Sequence, residues 1–300
     1  MNHRNFIFFT SLLSLYACTS RQSDVKDSST FIDTSLTGID NGQTTSNDEA
    51  YRVTQSIEYN DVPVDIIIDK PVGTDFDVLV VYHGTVGLDS KIHEAAITTL
   101  NEFERILDRT DMMIVSVVYP EEGLHMGDNL IFAEAALLWV REKADEELGI
   151  NVQRVFLGGH SQGGYIATRL NTMHQTDGVV ANCPGPLNLI YRCNLEEQGE
   201  VQSSATCQRL KEEYGTTTEN PQAYAERSLL NFTTGHTSRM LFIQGMQDSE
   251  IQLYSWPSFK QQLSTCTDCE EMRVVEEENA GHSALFVGEN AMQSFNSFVE

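Results

Sequence analysis

Apolar residues along the chain follow two periods in turn. Short runs rich in β-branched residues, at 78–82, 112–118, 152–157, 179–182, 239–245 and 272–275, have the length and composition of buried strands. Between them lie stretches with helical spacing. The segment 91–108 carries Ile92, Ala96, Leu100, Phe103 and Leu107 at intervals of three and four, which predicts one buried helical face. Further helices are predicted over 129–147, from Tyr165 to about 173, and over 284–298. Residues 51–59 and 62–68 read as an opening hairpin, with Asn60-Asp61 at its turn. Alternating strands and helices predict a mostly parallel sheet covered by helices on both faces, so the fold class is α/β and ligands should bind beyond the strands' carboxyl ends.

One stretch breaks the rhythm. Over 184–237 about 50 residues intervene where a short connection suffices, with helices predicted at 207–214 and 221–230. Such an insertion is expected to cap the sheet's active edge. The domain itself is expected over 51–300.

The N-terminal segment reads differently. Arg4 precedes an apolar run over 6–17, too short to span a membrane but suited to a signal-peptide core over residues 1–17. Leu15-Tyr16-Ala17-Cys18 resembles a bacterial lipobox, which predicts lipidation of Cys18 and a membrane-anchored lipoprotein; an ordinary signal peptide would make the protein periplasmic or secreted. Residues 18–50 are polar and small, and read as a flexible tether. A net charge of −25 excludes nucleic acid and anionic membrane surfaces as partners, so the only expected membrane link is the lipid anchor. Export favours disulfides, with Cys193 expected to pair with Cys207 across a polar loop and Cys266 with Cys269; Cys183 is left free. No zinc-ligand spacing is evident, and neither metal nor organic cofactor is expected.

The chemistry centres on Gly159-His160-Ser161-Gln162-Gly163, a G-x-S-x-G that falls between a predicted strand and a predicted helix. A serine on so sharp a turn needs glycines where Cβ atoms would collide, and it stands exposed at the sheet edge as a nucleophile. It also needs a base and an acid to orient that base. Asp248 lies three residues past the strand at 239–245, with Glu250 as a competing acid, and His282 follows the strand at 272–275. The order serine, acid, histidine is that of the strand-turn-helix hydrolases. The strand at 78–82 runs into His83-Gly84-Thr85, which places one oxyanion N–H at Thr85 or its neighbour and the other at Gln162. His83 and His160 are read as structural.

On these motifs the chain resembles an α/β-hydrolase. Residues 219–232, the strand leading to Asp248 and Gly163-Gly164-Tyr165 are similar to the catalytic domain of prolyl-oligopeptidase-like hydrolases, over roughly 60–300. That resemblance implies Ser161 as nucleophile, Asp248 as orienting acid and His282 as base. Peptide-cleaving relatives commonly carry an N-terminal β-propeller, for which the residues before the first strand are too few; Gly-His-Ser-Gln-Gly-Gly looks more like esterases, lipases and acyl-thioesterases. The expected activity is therefore hydrolysis of a small or polymeric carboxylic ester. The alternatives are a prolyl-oligopeptidase-like peptidase and a non-catalytic surface-binding lipoprotein on a hydrolase scaffold.

Overall fold

Asn60 and Asp61 turn the chain with φ of 51° and 63°, the left-handed pair that a two-residue hairpin requires and that Asn and Asp tolerate best. They join β1 (Tyr51–Tyr59) to β2 (Val62–Lys70), antiparallel with Tyr59 opposite Val62. The computed structural model describes residues 49–300. The expected signal peptide, Cys18 and nearly all of the tether lie outside the described residues.

Beyond the hairpin come β3 (Asp75–Tyr82), α1 (Ile92–Ile106), β4 (Met112–Val118), α2 (Leu130–Glu142), α3 (Ala144–Leu148), β5 (Asn151–His160), α4 (Gln162–Asn171) and β6 (Gly178–Asn182). The remainder is α5 (Leu189–Gln198), α6 (Ala205–Tyr214), α7 (Pro221–Ala225), β7 (Met240–Gly245), α8 (Glu250–Ser264), β8 (Met272–Glu277), α9 (Ala284–Val287) and α10 (Glu289–Val299). Among the described residues the strands form one sheet of eight, in the order β1-β2-β4-β3-β5-β6-β7-β8. The first two pairings are antiparallel and the rest parallel.

The central strands are apolar on both faces because both faces are covered. On one side Trp139, Tyr165 and Trp256 belong to a core beneath α2, α4 and α8. On the other, Phe103, Phe286 and Phe298 fill a second core beneath α1, α9 and α10. The face of α1 closes with Ile106 rather than Leu107, since Leu107 turns extended (φ −77°, ψ 123°) and ends the helix. The helix expected over 129–147 is broken at Lys143. The C-terminal one is broken at Gly288, where φ −87° and ψ 123° leave the helical region.

The excursion between β6 and β7 contains α5, α6, α7 and a single turn at Leu229–Asn231. Pro221 opens α7, but the helix stops at Ala225 instead of reaching residue 230. The pattern of apolar positions did not reveal α5. Its identity lies in its caps: the Asn188 side chain accepts from Tyr191 N–H at 3.0 Å, and Gly199 closes it with φ 74°. Cys193 of α5 is joined to Cys207 of α6, and Cys266 to Cys269. Cys183 is free and buried. No helix among the described residues is long and apolar enough to cross a membrane.

Candidate active site

Ser161 sits between β5 and α4 with φ 56° and ψ −117°, a backbone that L-residues rarely adopt. Neighbouring atoms hold it there. Ser161 N–H donates to Asn182 C=O at 2.9 Å, and Ser161 C=O accepts from Gly185 N–H at 3.0 Å and Tyr165 N–H at 3.1 Å. The flanking glycines are required by contact: a Cβ on Gly163 would lie 1.9 Å from the Tyr82 carbonyl oxygen, and one on Gly159 would lie 2.1 Å from that of Gly163.

Asp248 and His282 meet from separate loops. The Asp248 loop leaves β7 and the His282 loop leaves β8. Gly245 lets them approach, since a Cβ there would lie 2.0 Å from the Gly281 carbonyl oxygen. His282 Nδ1 stands 2.7 Å from Asp248 Oδ2. That carboxylate also accepts from Ser249 N–H at 2.6 Å and from the Gln244 amide at 3.1 Å. Burial acts to raise the Asp248 pKa, but the hydrogen bond and charge of His282, with those two donors, outweigh it and hold the carboxyl below its usual value. The stabilisation from the ionised Asp248 carboxylate is therefore present above the usual carboxylate range, and it is lost as pH falls through the lowered value. Glu250 instead opens α8, exposed to solvent.

Ser161, Thr85, Asp248 and His282 line one cavity of about 420 Å³. The Thr85 hydroxyl donates to the Gln162 side-chain oxygen at 2.5 Å, so the two expected oxyanion positions are tied together beside the serine. The structure thus gathers all five site residues expected from the sequence.

His160 does more than occupy the variable position of the motif. Its ring packs edgewise on His282, with centroids 5.0 Å apart. Asn182 fixes its tautomer: Asn182 Oδ1 accepts from Leu285 N–H at 3.0 Å, so its Nδ2 donates to His160 Nδ1 at 3.1 Å. Burial, and then the neighbouring His282, push the His160 pKa down to about 4, which keeps a second positive charge away from the base. His83 is buried and stacked on Tyr119 at 4.0 Å, and burial lowers its pKa to about 4 as well.

Other supporting residues escaped the sequence reading. Glu121, buried, accepts from Val86 N–H at 3.0 Å and Gly87 N–H at 3.1 Å, which pins the loop after β3. Burial raises its pKa against the pull of those same two donors. Gln252 donates to Pro184 C=O at 2.9 Å and to Gln244 at 3.1 Å, continuing the chain of amides that ends on Asp248. Asn182 and Gln244 had a visible signal, being polar residues inside otherwise apolar strand runs. Glu121 had none.

Glu121→Gln should lower kcat about ten- to hundredfold with little change in KM. Both donors converge on Oε2, so an amide oxygen can still accept them but without the charge that strengthens those bonds, and the amide NH₂ takes the place of Oε1, which is buried without a hydrogen-bond partner among the described residues. Steady-state kinetics beside a thermal melt will check this, and an unchanged kcat would remove Glu121 from the site's support.

Two clusters among the described residues bring together metal-type ligands within 4.8 Å: Cys183 with Asp248 and His282, and Cys266 with Asp268 and Cys269. Neither donor set suits a metal. Asp248 and His282 are bonded to each other, burial pushes the Cys183 thiol up to about 11, and Cys266 and Cys269 are spent on a disulfide.

Residues 79–256, more than half of the chain, match a family described as having the alpha/beta hydrolase fold. No curated protein matches in sequence. Among solved structures, the fold is similar to that of brefeldin A esterase, a bacterial homologue of human hormone-sensitive lipase, at 18% identity and a TM-score of 0.58, covering 87% of this chain and 80% of that one. A fungal esterase from Rhizomucor miehei is similar at 15% identity and 0.58, covering 84% and 82%. Acylaminoacyl peptidase from Pyrococcus horikoshii, at 15% identity and 0.56, matches over 84% of this chain, which spans only 41% of the peptidase.

Proposed function

Because the chain belongs to the α/β-hydrolase family, we propose that it is an exported serine hydrolase acting on a carboxylic ester through an acyl-enzyme intermediate. The observation that carries this reading is the His282–Asp248 pair, 2.7 Å apart, on the wall of the cavity that Ser161 also lines. In the reaction His282 takes the proton from the Ser161 hydroxyl as its oxygen attacks the ester carbonyl. Asp248 holds the imidazole in the tautomer whose Nε2 faces the reaction and stabilises the imidazolium that forms. Backbone N–H groups at Thr85 and Gln162 receive the charge that develops on the carbonyl oxygen. His282 then returns its proton to the departing alcohol. Water, activated by the same histidine, releases the acyl group and restores Ser161.

The esterase reading is preferred to a peptidase one because the serine motif is of the esterase type and the fold is matched along most of the esterases' length. A panel of nitrophenyl esters of increasing chain length, beside proline-containing peptide amides, tests it. Peptide cleavage without ester cleavage would reverse the preference. Failure of a fluorophosphonate probe to label Ser161 would favour a non-catalytic binding protein.

Export rests on the apolar run at 6–17 and on Leu15-Tyr16-Ala17-Cys18. The mature chain is expected to begin at a diacylglyceryl-modified Cys18, and to carry the hydrolase domain on a tether reaching residue 50. Mass spectrometry of the N-terminal peptide will decide, and an unmodified or different start would make the protein an ordinary secreted enzyme.

A further inference from the structure

The cavity around Ser161 has an apolar wall that includes Met126, Leu187, Leu189 and Ile251, and Arg192 is the only cation among the residues lining it. Asp248 is the only acid there, and it is engaged by His282. In a chain with 44 acidic and 19 basic side chains, this is an unusual place for an arginine.

Arg192 is also held in position. Its Nε donates to Glu196 Oε1 at 2.9 Å, and the Glu196 side chain is only 4% exposed. Glu196 is itself fixed by Ser204, whose N–H donates to Oε2 and whose hydroxyl donates to Oε1, each at 2.8 Å. The disulfide from the neighbouring Cys193 ties α5 to α6, and Tyr191 stacks on Tyr254 of α8 with centroids 3.8 Å apart. Both supports restrain the helix turn that presents the guanidinium. With Nε used, Nη1 and Nη2 have no partner among the described residues, and they form the planar fork that fits a carboxylate.

We propose that Arg192 binds an anionic group on the ester, so that the site selects substrates carrying a carboxylate separated from the scissile carbonyl by a short apolar span. This rests on the esterase reading above. The span would lie along the apolar wall, and the carboxylate would pair with Arg192 on the cap. The chain's overall charge repels anions at long range, so the selection operates at contact and should be expressed in KM. The anion could belong to the acyl group or to the alcohol, and both present the same chemistry to Arg192.

Matched pairs of esters test this on the full-length protein in detergent. For the acyl side, the 4-nitrophenyl monoester of adipic acid is compared with 4-nitrophenyl hexanoate. For the alcohol side, 4-(carboxymethyl)phenyl butyrate is compared with 4-ethylphenyl butyrate. In the wild type, at least one anionic ester should exceed its neutral match in kcat/KM by about 10- to 100-fold, mainly through KM. Arg192→Gln should bring that ratio close to one, and Arg192→Lys should retain part of it. Each ratio is independent of the fraction of protein folded, so partial misfolding of a variant does not obscure the result. Wild-type ratios of one or below in both pairs, or a preference that survives Arg192→Gln, would overturn the proposal and leave the esterase reading standing. Hydrolysis of none of the four esters would overturn both.

Discussion

Replacing Ser161 with alanine is expected to lower ester turnover by about 10⁴- to 10⁶-fold while the fold persists, because nucleophile and base act as one unit and loss of either abolishes the covalent route. The fold should tolerate the change for a specific reason. The turn is held by the backbone of Ser161, through Asn182, Gly185 and Tyr165, and its side chain makes no capping hydrogen bond to α4. Serine and alanine both carry a Cβ, so the strain at φ 56° is common to the two. Turnover of a nitrophenyl ester, read beside a thermal melt, is the measurement. A variant that melts like the wild type and hydrolyses the ester nearly as fast would exclude Ser161 as nucleophile.

Asp248→Asn should cost on the order of 10⁴-fold in turnover. The bonding around the carboxylate gives the reason. Oδ2 accepts from His282 and from the Gln244 amide, while Oδ1 accepts from Ser249 N–H. An asparagine with its oxygen toward His282 turns its NH₂ against the Ser249 N–H. Reversed, it donates to His282 Nδ1 and forces the proton onto Nε2, the nitrogen that must accept from Ser161. Glu250→Gln should keep most activity, since Glu250 stands exposed at the start of α8. The opposite ranking on the same ester would transfer the acid's role to Glu250.

The elements that could be read from the sequence are those whose pattern is local. Strand runs buried on both faces are continuous apolar stretches, so β3, β4 and β7 stood out, and the Asn60-Asp61 turn identified the hairpin. Helices defined by caps or breaks were harder. α5 has few buried apolar positions, Leu189 and Cys193, and is marked by Asn188 and Gly199. The breaks at Lys143 and Gly288 interrupt patterns that look continuous to a helical period.

By itself the sequence determined the α/β class, the strand-to-helix turn at Ser161 and the order in which Ser161, Asp248 and His282 follow their strands, because each depends on residues a few positions apart. Only the tertiary structure decided that Asp248, and not Glu250, reaches His282, that Glu121 holds the loop after β3, and that Arg192 faces the same cavity as Ser161. Those relations join residues 34 positions apart in the first case and 34 to 35 in the second. The distances within them follow from how β7 and β8 end side by side and how the excursion after β6 folds back over the sheet, and no local pattern of apolar and polar residues encodes such packing.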